Sequence, residues 1–121
     1  MKKVLIIEDD EFLRSLAAKR LEKDGYKVLV APAGEPGLTT TESEKPDLIL
    51  LDLLLPGLSG FEVLEKLKAS AHSKATPVLV FSNLGERADI EKATKLGAAD
   101  FMVKANFTLD DVIGKVNDLL K

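Results

Sequence analysis

Short aliphatic runs alternate along the chain with longer stretches whose apolar residues recur at helical spacing. Val4–Ile7, Lys27–Ala31, Leu48–Leu51, Val78–Phe81 and Asp100–Lys104 read as strands. Each is too short for a helix, and the most apolar are continuous rather than alternating, as in strands buried on both faces. Between the first two, Phe12, Leu13, Leu16, Ala17 and Leu21 give a first helix one apolar face, and Gly25 stops it. Pro36–Lys45 should hold a second helix, short and loosely held: Gly37 and Thr39 to Thr41 have poor helix propensity, and only Leu38 marks an apolar face. Phe61, Val63, Leu64 and Leu67 mark a third, capped by Ser59 and fraying near Ser70. Glu86–Leu96 forms a fourth, with a thin inward face of Ile90, Ala93 and Leu96 and a stop at Gly97. Thr108 caps the last, whose stripe is Leu109, Val112, Ile113, Val116, Leu119 and Leu120, with Asp110 and Asp111 favourably near its N-terminus. Regular strand-helix alternation with short connections predicts one α/β domain over residues 1–121: a doubly wound five-stranded parallel sheet with five helices on both faces.

The strand ends carry the chemistry. Asp52 follows Leu48–Leu51 and precedes Leu53, Leu54, Leu55 and the Pro56-Gly57 turn. A carboxylate sealed among leucines costs several kcal/mol unless paired or metal-bound, so Asp52 is expected where the strand emerges, the edge at which open parallel sheets bind ligands. The first strand ends in Glu8 and Asp9, the fourth in Ser82, the fifth in Lys104; the second ends without a reactive side chain. A flavodoxin-like order, 2-1-3-4-5, puts that silent strand at the border and the others around one cleft. Glu8, Asp9, Asp10 and Glu11 divide on this reading. Asp10 and Glu11 cap the helix that follows, while Glu8 and Asp9 face the cleft.

Composition narrows the classes. With 45% hydrophobic and 31% charged residues the chain is neither disordered nor membrane-spanning, and its net charge of −3 gives no general pull toward nucleic acid. The apolar run at the N-terminus is too short for a signal peptide, and the absence of cysteine excludes disulfides and thiolate zinc sites. A cytoplasmic protein is expected.

Three neighbouring carboxylates repel one another, so without a cation at least one pKa should rise. All-oxygen ligands suit Mg²⁺, which favours one or two carboxylates plus a phosphoryl group. A phosphoryl group arriving at Asp52 as nucleophile would find a point charge in Lys104 and a hydrogen-bond donor in Ser82. Taken singly each residue has a plainer reading: a capping acid, a loop serine, a solvated lysine. Their match at four strand ends favours the functional one. His72, the only histidine, is expected to be exposed and not a phosphodonor.

Ile6 to Asp10, Leu51 and Asp52 with Leu55, Pro56 and Gly60, Phe81 and Ser82, and Phe101 to Lys104 preceded by Gly97 and Ala98 together resemble the receiver domain of two-component response regulators, over essentially the whole length. The resemblance implies that Asp52 takes a phosphoryl group from a sensor histidine kinase or histidine phosphotransfer protein. Mg²⁺, or Mn²⁺ in its place, would be held by Asp9, Asp52, the main-chain carbonyl of Leu54, and Glu8 through water. Lys104 would contact the phosphoryl oxygens, Ser82 would swing toward them, and Phe101 would turn inward. Helix four, strand five and helix five would then signal to a downstream effector or fused output domain, in a monomer or a phosphorylation-dependent dimer. The protein would catalyse only its own phosphorylation and slow dephosphorylation. A stand-alone regulator and the receiver of a longer protein look alike at this length.

Departures from the pattern motivate the alternatives. The family commonly has proline joined by a cis peptide after the lysine; here Ala105 follows, and a cis bond would cost roughly 2.5–4 kcal/mol, so the loop should be either trans and reshaped or strained. Asn83 stands where a small residue is favoured, and Leu54 leaves only an apolar side chain two residues past the nucleophile. A degenerate receiver acting as a phosphorylation-independent interaction module is the runner-up. An aspartyl phosphatase would need a second acid where Leu54 stands, and a flavin carrier would need its phosphate loop where four acids follow the first strand.

Overall fold

The computed structural model describes residues 1–121. Its elements are β1 (Lys3–Ile7), α1 (Glu11–Lys23), β2 (Lys27–Ala31), α2 (Gly34–Glu44), β3 (Leu48–Leu51), α3 (Gly60–Ala69), β4 (Val78–Ser82), α4 (Arg87–Lys95), β5 (Asp100–Val103) and α5 (Leu109–Leu119). The strands form one parallel sheet in the order β2-β1-β3-β4-β5, as expected. Because side chains alternate across a strand, the continuous aliphatic runs feed two cores at once. Val4, Ile6, Leu48, Leu50, Leu79, Phe81 and Met102 pack against Ala17 and Leu21 of α1 and Val112, Ile113 and Val116 of α5. Leu5, Ile7, Ile49, Leu51, Val78 and Val80 pack on the other face against Val63, Leu64 and Leu67 of α3 and Ala93 of α4. Full burial of each such side chain stabilises by about 1.5–3 kcal/mol, which makes the three central strands a rigid base for whatever stands at their ends.

Two helices depart from the sequence pattern. On α1, Leu13, Ala17 and Leu21 face the sheet, while Phe12 is 78% and Leu16 40% exposed. Phe12 and Leu16 are themselves four apart, so they make a second apolar ridge beside the packed one, which periodicity merged with it. The second helix begins at Gly34, two residues before Pro36, and its buried residues are Gly34, Gly37 and Thr41; Leu38 is half-buried. Glycine carries no hydropathy, so that face was invisible. It allows a close approach to the sheet: a Cβ on Gly37 would stand 2.5 Å from Ile7 Cδ1. The thin face of α4 is as expected, with only Ala93 buried. Ser59 and Thr108 each cap their helix in a reciprocal capping box, with Glu62 and Asp111.

Candidate functional site

The parallel register brings the C-terminal ends of β1, β3, β4 and β5 together. Asp52 directly follows β3, and its amide donates to the Ile7 carbonyl at 3.0 Å, which extends the β1–β3 ladder by one bond and fixes its main chain. Its carboxylate does not stand open as the emerging strand suggested: Asp52 is only 5% exposed. The charge is satisfied instead of solvated. Oδ1 accepts the Leu54 amide at 3.2 Å and Oδ2 accepts Lys104 Nζ at 3.1 Å.

Glu8, at the end of β1, is equally buried, with 5% exposure. Its carboxylate accepts Lys104 Nζ at 2.8 Å and the Asp10 amide at 3.1 Å. The Lys104 ammonium therefore bridges two buried acids 44 residues apart in sequence, Glu8 and Asp52. Burial pushes the Glu8 carboxyl above its ordinary value; the lysine hydrogen bond and the Asp10 amide pull the other way, and the charge of Asp52 adds to the rise. One carboxyl pKa is thus raised, as expected, but at Glu8 burial and not carboxylate repulsion is the largest cause. Ile6, Leu13, Leu50 and Phe81 line the same small pocket as Glu8 and Asp52.

Asp9 is exposed at the mouth, and Asp10 is the N-cap of α1, its carboxylate accepting the Leu13 amide at 3.0 Å. The four successive acids divide as expected, with Glu11 opening the helix. Carboxylate oxygens of Glu8, Asp9 and Asp52 lie within 4.8 Å of one another. An all-oxygen set of three carboxylates is chemically suited to a hard divalent cation, which would share Glu8 and Asp52 with the Lys104 ammonium.

Ser82 is the last residue of β4 and fully buried; its hydroxyl accepts the Leu84 amide at 3.3 Å, and its carbonyl accepts the Lys104 amide at 2.8 Å. That main-chain bond places Lys104 just beyond β5. The Lys104–Ala105 peptide is trans, as no cis peptide occurs in the chain; the loop turns through Asn106, whose amide donates to the Val103 carbonyl at 2.9 Å. Of the two expectations for this peptide, the trans one is found. Phe101 is half-buried against the α3–α4 core. Leu54 is 49% exposed at the cleft, and His72 is exposed, as expected. One contributor escaped sequence reasoning. Arg14, on α1, donates to the Glu8 carbonyl at 2.9 Å and ties the acidic turn to the helix; a main-chain acceptor leaves no signature in sequence.

Residues 4–117 match the family model of the response regulator receiver domain. The chain belongs to that family. As a receiver domain it is 38% identical over 120 residues to the alkaline phosphatase synthesis transcriptional regulatory protein PhoP of Bacillus subtilis, covering 99% of this chain and 49% of that protein. It is 33% identical over 104 residues to protein PilH of Pseudomonas aeruginosa, 86% of each. The chain spans about half the length of PhoP and of the Synechocystis DNA-binding dual master transcriptional regulator RpaA, of which it covers 49% and 50%. Its fold superposes on the BeF3-activated N-terminal receiver domain of Klebsiella pneumoniae RstA with a TM-score of 0.90 at 27% identity, over 99% of both chains. The Mn(2+)-bound form of response regulator Rcp1 gives 0.82 at 26% identity, over 98% of this chain and 91% of that one. No helix of this receiver domain is long and apolar enough to cross a membrane.

Proposed function

We propose that this receiver domain is a phosphorylation-driven switch in which Asp52 is the phosphoacceptor. The observation that carries the reading is the Lys104 ammonium bonded to Asp52 and Glu8 among buried carboxylates. An Asp52 carboxylate oxygen attacks the phosphorus of a phosphohistidine on a sensor kinase or phosphotransfer protein; the P–N bond breaks, and the imidazole leaves with its electron pair and takes a proton from solvent. Lys104 then has the charge to hold phosphoryl oxygens, with Ser82 donating its hydroxyl to them. Glu8, Asp9, Asp52 and the Leu54 carbonyl would hold Mg²⁺ or Mn²⁺, which when bound neutralises charge on the transferring group. Arg14 keeps the acid pair in place through the Glu8 carbonyl.

The added phosphoryl carries about −1.5 to −2 charge, enough to draw Lys104 and Ser82 toward it. Lys104 and Ser82 share a main-chain hydrogen bond, and Ser82 and Phe101 lie on paired strands, so movement at either would reach β5 and the loop before α4. Helix α4 buries one residue, fewer than any other helix of the chain, and is the least anchored of the five. Phe101 turning inward and α4, β5 and α5 presenting a changed surface to an effector or a fused output domain complete the reading, in a cytoplasmic protein that is a monomer or a phosphorylation-dependent dimer. The test is incubation with Mg²⁺ and a small-molecule phosphodonor, followed by intact mass. Wild type should gain one phosphoryl group only when Mg²⁺ is present, and Asp52→Asn none. Equal behaviour of the two proteins would contradict the reading and favour a phosphorylation-independent interaction module.

A further inference from the structure

Of the eight glycines in the chain, one presses against main chain at the site itself. A Cβ on Gly60 would stand 2.3 Å from the Asp52 carbonyl oxygen, 2.4 Å from Leu53 Cα and 2.9 Å from Leu53 Cδ2. At Gly34, Gly37 and Gly85 the atoms met within 3 Å are side-chain atoms, which can give way at a packing cost. Backbone at the end of a central strand cannot. Gly60 is also the first residue of α3, and its amide donates to the Leu53 carbonyl at 2.9 Å.

We infer that Gly60 is a positioning residue for the phosphoacceptor: lacking a side chain, it lets the first turn of α3 clamp the Asp52–Leu54 main chain, and so sets where the Asp52 carboxylate and the Leu54 carbonyl stand. The segment is held from both sides. Ile7 of β1 fixes the Asp52 amide, the Leu54 amide fixes Asp52 Oδ1, and Gly60 fixes Leu53 between them. Lys104 Nζ reaches both Glu8 and Asp52, at 2.8 and 3.1 Å, so a displaced strand end would lengthen one of the two bonds or draw the lysine away from the other acid. A helix start pushed back by one methyl group would move the nucleophile relative to its lysine and to the acids of β1. The inference rests on the proposed role of Asp52 and adds what holds that residue in register.

Gly60→Ala is compared with wild type and with Ser59→Ala, which removes the cap of the same helix without adding an atom near Asp52. Two quantities are read on folded protein well below the unfolding temperature: the Mg²⁺ dissociation constant by NMR titration, and the labelling rate with a small phosphodonor at saturating Mg²⁺. Gly60→Ala should weaken Mg²⁺ binding or slow labelling by about tenfold or more, the scale seen when groups that orient a ligand or a reacting atom are disturbed. Ser59→Ala should lower the melting temperature and leave both quantities within about twofold of wild type. If Gly60→Ala does not fold, an ester in place of the Gly60 amide, introduced by semisynthesis, removes the bond to Leu53 and adds no atom; the same loss is expected. Wild-type Mg²⁺ affinity and labelling rate in folded Gly60→Ala, or in the ester form, would overturn the inference. Failure of wild type itself to be labelled would instead overturn the role of Asp52, while the Mg²⁺ titrations would still decide that of Gly60.

Discussion

Lys104→Met is expected to lower the unfolding free energy by about 3 kcal/mol at neutral pH without Mg²⁺, read by urea denaturation. Methionine matches the length of the lysine stem and leaves Glu8 and Asp52, each 5% exposed, with no counter-charge. The loss sits at the low end for a broken buried pair because Glu8 can take up a proton. The pH dependence follows from the two shifts. Burial of the Lys104 amine opposes its charge, but the Glu8 hydrogen bond and the charges of Asp52 and Glu8 outweigh it and raise the pKa; its contribution is full below the ordinary 10.5 and lost as pH rises through the raised value. Glu8, also raised, contributes most below its ordinary 4.5 and loses that contribution as pH rises through its folded value. The cost of Lys104→Met should therefore grow as pH rises through the raised Glu8 value, where that carboxylate ionises beside Asp52. Saturating Mg²⁺ should stabilise the variant more than wild type, since the ion no longer competes with an ammonium. A pH-independent loss would mean that the lysine acts through its stem and not its charge.

Gly37→Ala should destabilise by about 1–2 kcal/mol, although alanine is the better helix former by about 0.8–1.0 kcal/mol. Its Cβ would meet Ile7 Cδ1 at 2.5 Å and Cγ1 at 2.9 Å, and Ile7 is fully buried in the strand that ends at Glu8. Gly114, on the exposed side of α5, has nothing within 4 Å of the same added atom. Gly114→Ala should thus stabilise by up to about 1 kcal/mol. Denaturation midpoints for the two variants should move in opposite directions. Stabilisation by both would show that α2 packs less closely on β1 than the structure has it.

Legibility in the sequence followed the kind of force involved. Leu48–Leu51 read as a doubly buried strand because burial writes itself into hydropathy, and the residues after it had to face the cleft once the sheet was parallel. Asp52, Glu8, Ser82 and Lys104 were therefore legible as strand-end chemistry, and Ser59 and Thr108 as caps, since capping has its own residue code. The face of α2 was not, because Gly34, Gly37 and Thr41 achieve close packing by being small. Phe12 and Leu16 misled for the converse reason: periodicity registers an apolar ridge whether or not anything covers it. The depth of Asp52 was also hidden, since only its pairing with a lysine distant in sequence makes burial affordable. Arg14 was hidden too, because its partner is a main-chain carbonyl.

A switch at the β3 end requires that Asp52 be the side chain that takes the phosphoryl group. Wild type labelled with a small phosphodonor in Mg²⁺ is reduced with borohydride, which converts an aspartyl phosphate to homoserine, and its peptides are sequenced by mass spectrometry. Homoserine at position 52 and nowhere else is the predicted result; an unmodified Asp52, with label at another residue or none, would contradict it.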